Sequence, residues 1–328
     1  MLHETGEFAA ALRAAASRLS DASGRSEAAL LPLIEKDYWV TTVLSMIVAE
    51  HGDIVTFKGG TSLARAWRLT QRLSEDIDLG VEPGNLSISQ RDNLFFEIEE
   101  TVASGLGIGL KRGNRGAGEH LETWVPYATV FPDLIGDLDT RVLVEMGMRT
   151  PRTPAQVLSV ASLIEEVLYP DGDTPQDLSL PRCDVSTYDF HHTLLDKVFA
   201  VTSAANRYIE DRRADRLWRT GRHYYDLAML SRAPSVAEFL QSPQVTDLMI
   251  ATDGLSRSAF ARTYRPPGGL DFSNTPGLRF PESVEPVLRT AYEKTKALVF
   301  GELPSFEEVK RCLGSLADSL PIPETTPQ

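Results

Sequence analysis

Apolar residues at three- and four-residue spacing run from Leu30 to Glu50, with Leu33, Tyr38, Val40, Val43, Leu44 and Ile47 forming the stripe of a helix. An alanine-rich helix is predicted before it over 5–24, and Gly52-Asp53 ends the second. Ile54 to Phe57 reads as a short β-branched strand running into Gly59-Gly60; Leu63, Ala66, Trp67 and Leu69 then predict a helix up to Leu73. From Asp76 to Val81 the period becomes two: Ile77, Leu79 and Val81 face one way, Asp76 and Asp78 the other. A helix over 89–104 follows, and the glycine- and arginine-rich segment Leu110 to Gly118 reads as a mobile hairpin loop. Tyr127–Phe131 and Thr140–Met146 read as paired strands around the turn Pro132 to Asp139. Residues 151–185, punctuated by Pro and Asp, read as a connection, and from Thr193 the pattern is helical almost to the end. The expected fold class is α/β (α+β): a small mixed sheet with flanking helices over 1–185, then a mostly helical C-terminal half over 186–328.

Composition narrows the setting. A chain of 328 residues suffices for two domains. The apolar run Val43 to Ala49 falls far short of the roughly 20 residues that span a bilayer. The opening MLHETGEF has no basic stretch ahead of an apolar one, so no signal peptide and no membrane partner are expected. Cys183 and Cys312 form no CxxC motif, which points to a reducing compartment, by default the cytoplasm. A net charge of -13 opposes nonspecific binding of polyanions but leaves room for a local basic surface. Arg207, Arg212, Arg213, Arg216, Arg219 and Arg222 crowd into one such segment, diluted by Glu210, Asp211 and Asp215. Two readings stand for it: a phosphate-facing patch, or a solvated helix laced with ion pairs.

The candidate chemistry lies in FKGGTSLARAWRLTQRLSEDIDLGV, Phe57 to Val81. Aspartates at i and i+2 on a strand project side by side, and paired carboxylates suit magnesium. Glu145 offers a third acid on a later strand. Two divalent ions on such acids activate an attacking hydroxyl and stabilise a leaving oxygen. Asp137-Leu138-Asp139 repeats the spacing in an expected turn, where aspartates serve local hydrogen bonds, and is assigned no chemistry. Gly59 and Gly60 permit close approach of backbone N–H groups to phosphate, with Thr61 and Ser62 adding hydroxyl donors. Lys58, just ahead of them, either touches phosphate or marks the end of the strand. The spacing fits neither a Walker A loop nor the dinucleotide fingerprint.

KDYW, FKGGTSL, RLSEDIDL and YYDLAML together resemble the AbiEii/MenT family of type IV toxin–antitoxin nucleotidyltransferases, of the polymerase-β-like superfamily. The resemblance spans about residues 35–230. It implies a polymerase-β-like core that transfers a nucleoside monophosphate from an NTP to an acceptor, often the 3′ end of tRNA, so blocking translation. It implies Mg2+ (or Mn2+) as cofactor and a cognate antitoxin as partner. By this likeness Lys58, Gly59, Gly60, Thr61 and Ser62 bind nucleotide, and Asp76, Asp78 and Glu145 hold metal. Lys197 reaches the triphosphate, Asp226 is the last acidic motif, and Asp37, Tyr38 and Trp39 support the site.

The later motif residues also have structural readings. Thr193-x-x-Asp196 reads as a helix capping box, which makes Asp196 structural. Lys197 interrupts an apolar stripe, as a boundary lysine does, and Asp226 would pair with Arg222 at i−4. His191-His192 lacks any metal-binding companion set, and all six histidines are read as non-catalytic. Three other functions remain: nucleotidylation of a protein side chain, a non-catalytic nucleotide- or partner-binding relative, and a metal-dependent phosphohydrolase on the same carboxylates.

Overall fold

A computed structural model describes the chain except for residues 83, 137, 149–154, 176–177 and 324–328; Asp137 of the assigned turn therefore lies outside the described residues. The chain divides into two compact units, Met1–Asp189 and Phe190–Gln328.

The first unit begins with α1 (Phe8–Ser23) and α2 (Glu27–His51). Then come β1 (Val55–Lys58), α3 (Gly59–Arg65), β2 (Asp76–Val81) and α4 (Ile88–Leu106). A hairpin, β3 (Lys111–Gly116) and β4 (His120–Pro126), leads to β5 (Arg141–Gly147), β6 (Ala155–Ala161), α5 (Leu163–Leu168) and β7 (Arg182–Tyr188). The seven strands form one mixed sheet in the order β3-β4-β5-β2-β1-β7-β6. The β2–β5 and β1–β7 pairs are parallel and the others antiparallel. Ile77, Leu79, Val142, Val144 and Met146 are buried in the core, on the face opposite Asp76 and Asp78.

Several expected elements shift. Leu110 to Gly118 is no loop: Lys111–Gly116 pairs with β4 as an edge strand, turning through Gly118 at φ +63°. Its lack of apolar residues hid it. Arg112 and Arg115 serve as its inner face, stacking on Phe96 of α4 at 4.2 and 5.0 Å and pairing with Glu99 and Asp92. A register shift between them leaves Gly113 and Asn114 opposite Glu122, so both arginines keep the same face. The antiparallel partner of β5 is therefore β4, not Tyr127–Phe131; of that segment, Tyr127 alone extends the ladder, donating its N–H to the Thr140 carbonyl at 3.0 Å. The helix expected up to Leu73 ends at Arg65, and Arg68 at φ +55° turns the chain away. Within 151–185 the described residues hold β6, α5 and part of β7, and the boundary expected after 185 falls inside β7.

The second unit is helical: α6 (Phe190–Asp211), α7 (Asp215–Trp218), α8 (Gly221–Leu230), α9 (Pro234–Leu240), α10 (Gln244–Ala259), α11 (Pro276–Arg279), α12 (Glu285–Thr295) and α13 (Phe306–Ser319). Thr193 lies inside α6, so the capping box read at Thr193 and Asp196 does not exist; Asp196 is exposed on the helix. No helix among the described residues is long and apolar enough to cross a membrane.

Candidate active site

Strand register sets the chemistry in a line. Lys58 of β1 is opposite Asp78 of β2, Asp78 is opposite Glu145 of β5, and Glu145 is opposite Glu122 of β4. Four charged side chains from four adjacent strands thus share one row on one face, with Asp76 on the same face two residues from Asp78. All are half-buried.

The row is overcrowded with negative charge. Burial, followed by the charges of Asp78 and Asp76, pushes the Glu145 carboxyl up to about 8. Glu145 therefore carries a proton at neutral pH and hydrogen-bonds to Asp78. Among the described residues no three His, Cys, Asp or Glu side chains converge closely enough to hold an ion; the acids form a row, not a closed cage.

The glycine pair has specific local reasons. Gly59 adopts φ +74°, and a Cβ there would stand 1.9 Å from Asp78 Oδ2, so only glycine lets the carboxylate lie against the turn. A Cβ on Gly60 would stand 2.6 Å from Arg72 Nη2. Arg72 therefore places a buried positive charge against the turn, a role its position in RLSEDIDL does not suggest from sequence. The Thr61 hydroxyl donates to the Asp76 carbonyl and the Ser62 hydroxyl to the Gly59 carbonyl, 2.9 Å. Both are buried and hold the turn together, which leaves backbone N–H groups as its outward donors.

KDYW also acquires a mechanism. Glu35, Lys36 and Asp37 are consecutive charges on α2 and at most 2% exposed. Glu35 accepts the Thr129 hydroxyl at 2.7 Å and the Val130 N–H at 2.8 Å. Lys36 donates to the carbonyls of Asp139, 2.7 Å, and Arg141, anchoring the start of β5. Burial lowers its pKa, against the pull of Glu75, Asp139 and Asp76. Asp37 pairs with Arg65 at 3.1 Å, at the end of α3, and accepts the Leu163 N–H at 2.6 Å. Burial pushes its carboxyl up to about 6 against Arg65, leaving it ionised at neutral pH. Arg65 also meets Glu166 at 2.6 Å. One buried stretch of α2 thus braces the strand that carries Glu145 and the helix that follows the glycines. Lys36 escapes a sequence reading of the site because a lysine in a helical stripe reads as solvated.

In the second unit Lys197 and Asp226 form one buried ion pair at 2.8 Å, with Lys197 5% exposed and Asp226 0%. Lys197 also lies 3.3 Å from His223 Nδ1. Asp226 thus has a partner across from α8 on α6, which its i−4 spacing from Arg222 does not suggest. His191 stacks on Phe239 at 4.2 Å and His192 is buried, in keeping with packing roles. The arginine run is not one helix: it crosses the end of α6, α7 and the start of α8. Arg212, Arg213, Arg216 and Arg219 are exposed, while Arg207 pairs with Asp211 at 3.3 Å.

The sheet thus carries the acid row and the glycine turn side by side. Residues 43–312 match the family described as nucleotidyl transferase AbiEii toxin, type IV TA system, and the chain belongs to that family. It is similar to the solved structure of MenT4, a nucleotidyltransferase toxin from Mycobacterium tuberculosis H37Rv, at 20% identity and a TM-score of 0.47, over 93% of this chain and 98% of that one. No curated protein matches it.

Proposed function

We propose that this member of the toxin family transfers a nucleoside monophosphate from an NTP to the 3′ end of tRNA, releasing pyrophosphate and blocking translation. The observation that carries the reading is the row Lys58–Asp78–Glu145 across three adjacent strands, with Gly59 shaped to the Asp78 carboxylate.

In this reading the backbone N–H groups of Gly59, Gly60, Thr61 and Ser62 take the phosphates, with Lys58 and Arg72 supplying positive charge at the same turn. The family likeness also assigns Lys197 to the triphosphate; within the second unit its ammonium is paired with Asp226 at 2.8 Å. Glu145, once a cation offsets Asp76 and Asp78 and its own proton is lost, would orient the acceptor hydroxyl and receive its proton. By donor chemistry Asp76, Asp78 and Glu145 would hold a Mg2+ or Mn2+ ion, offering oxygen ligands only and a crowding of carboxyls that holds a proton on Glu145; the row would have to draw together around the ion, which would displace that proton. When bound, such ions supply the positive charge that activates the hydroxyl and stabilises the departing pyrophosphate. The setting is the cytoplasm, and the partner is a cognate antitoxin, as expected for a type IV toxin–antitoxin family.

The test is incubation with each labelled NTP in the presence of total tRNA or total protein, with and without chelator. Label on tRNA that chelator abolishes is the expected result. Label on protein, or phosphate released without transfer, would reject it.

A further inference from the structure

Along β4 the side chains alternate. Leu121, Thr123 and Val125 are buried, while Glu122 and Trp124 stand on the face of the acid row. Trp124 is in register with Leu143 of β5, and Leu143 with Asp76 of β2. The indole is thus two strands, roughly 10 Å, from Asp76.

The Arg141 guanidinium lies 4.4 Å from the indole ring. Arg141 is fixed in turn by two hydrogen bonds to the Asp139 carboxylate, 2.8 and 2.5 Å, and by Lys36 on its carbonyl. Trp124 is half-buried, so the pair forms a rigid aromatic–cationic step beside the acids, open to solvent in part. The neighbouring strand keeps it clear. Gly113 does not have the positive φ that would demand glycine, yet a Cβ there would stand 2.9 Å from Glu122 Oε2 and 3.3 Å from Trp124 Nε1. Lys111, exposed and in register with Trp124, lies at the edge of the sheet.

We infer that Trp124, backed by Arg141, is the stacking platform for the terminal nucleobase of a single-stranded nucleic-acid acceptor. The inference rests on the proposed function, which sets a direction along the row. Phosphates of the donor belong at the β1 end, beside Gly59 and Lys58. Glu145, which faces the acceptor hydroxyl, lies on β5, between the aspartates and β4. An acceptor whose hydroxyl reaches Glu145 from the open side therefore brings its base over β4. The Glu122 carboxylate repels a phosphate there, whereas a neutral base offers its π-face to the indole beside the guanidinium plane. Lys111, farther out, meets the phosphate that follows. Such a platform tolerates any base, because stacking does not read hydrogen-bond patterns.

The experiment measures binding of a single-stranded RNA oligonucleotide, and separately of each NTP, to the full chain and to Trp124→Ala, Trp124→Leu and Trp124→Phe, with a thermal melt of each. Trp124→Leu keeps apolar bulk without a π-face, so it stands in if the alanine variant unfolds. RNA affinity should fall on the order of tenfold in the Ala and Leu variants and be largely kept in Phe, with NTP affinity changed less than about twofold. Unchanged RNA affinity in the Leu variant overturns the platform. So does loss of NTP affinity with RNA binding intact, which would put the donor's base on the indole. A wild-type chain that binds NTP but no RNA also overturns it, leaving transfer to another acceptor standing; one that binds neither rejects the proposed function itself.

Discussion

Buried charges carry most of the weight at the scale of single residues. Removing one partner of a desolvated ion pair leaves the other uncompensated, at a cost of about 3–5 kcal/mol. Lys197→Met or Asp226→Leu alone should therefore destabilise the chain by about that amount, as read by urea denaturation. The double variant should recover much of the loss, since an apolar pair of similar volume can replace a buried bridge. If Lys197 serves the triphosphate, the double variant will still fail to transfer nucleotide. Recovery of both stability and transfer would make the pair purely structural. Gly59→Ala meets both a left-handed backbone and the Asp78 carboxylate at 1.9 Å. It should cost about 1–2 kcal/mol from the backbone alone, and more from displacing Asp78. Gly113→Ala, in contrast, meets no left-handed backbone but presses on Glu122 at 2.9 Å and should act on the Trp124 face. Cys183 is half-buried, and burial, then Asp184, pushes its thiol up to about 12. Alkylation of the native chain at pH 8 should leave Cys183 much slower than an unfolded control, and equal rates would contradict its burial.

At the scale of elements, the site strands are the most legible part of the chain. β2 and β5 alternate cleanly because one face is core and the other carries acid, so the alternation alone assigns Asp76, Asp78 and Glu145 to a face. The glycine pair is also legible, but its reason is not. The approach of Asp78 to Gly59 depends on the β1–β2 register, a pairing no local pattern encodes. The β3–β4 hairpin escapes the sequence pattern because its inner face is built from arginines on Phe96 instead of aliphatic residues. The arginine run reads as one helix because charge and apolar spacing continue through two breaks, one of them Arg212 at φ +56°. That segment leaves Arg212 and Arg213 exposed on the connection between α6 and α7, and Arg216 exposed on α7. Reversing their charge should weaken RNA binding and flatten its salt dependence by about one unit of slope for each phosphate no longer neutralised. NTP binding should not change. An unaltered slope would assign the segment to solvent alone.

For the whole molecule, a net charge of -13 opposes an RNA partner everywhere except at local basic surfaces, which makes any acceptor binding strongly dependent on a few residues. The two units differ in kind, a mixed sheet and a helical array, and the acid row belongs wholly to the first. The central claim is that this row performs nucleotide transfer to RNA. Mass analysis of tRNA after incubation with the protein, magnesium and each NTP in turn tests it most directly, run beside Asp76→Ala and Asp78→Ala. Both carboxylates are half-buried in a row of like charges, and relief of repulsion should leave both variants with near wild-type melts. The account predicts tRNA heavier by whole nucleoside monophosphate units with the wild-type chain, and unmodified tRNA with either variant. Modified tRNA from a folded Asp78→Ala protein, or none from the wild type with any NTP, would contradict it.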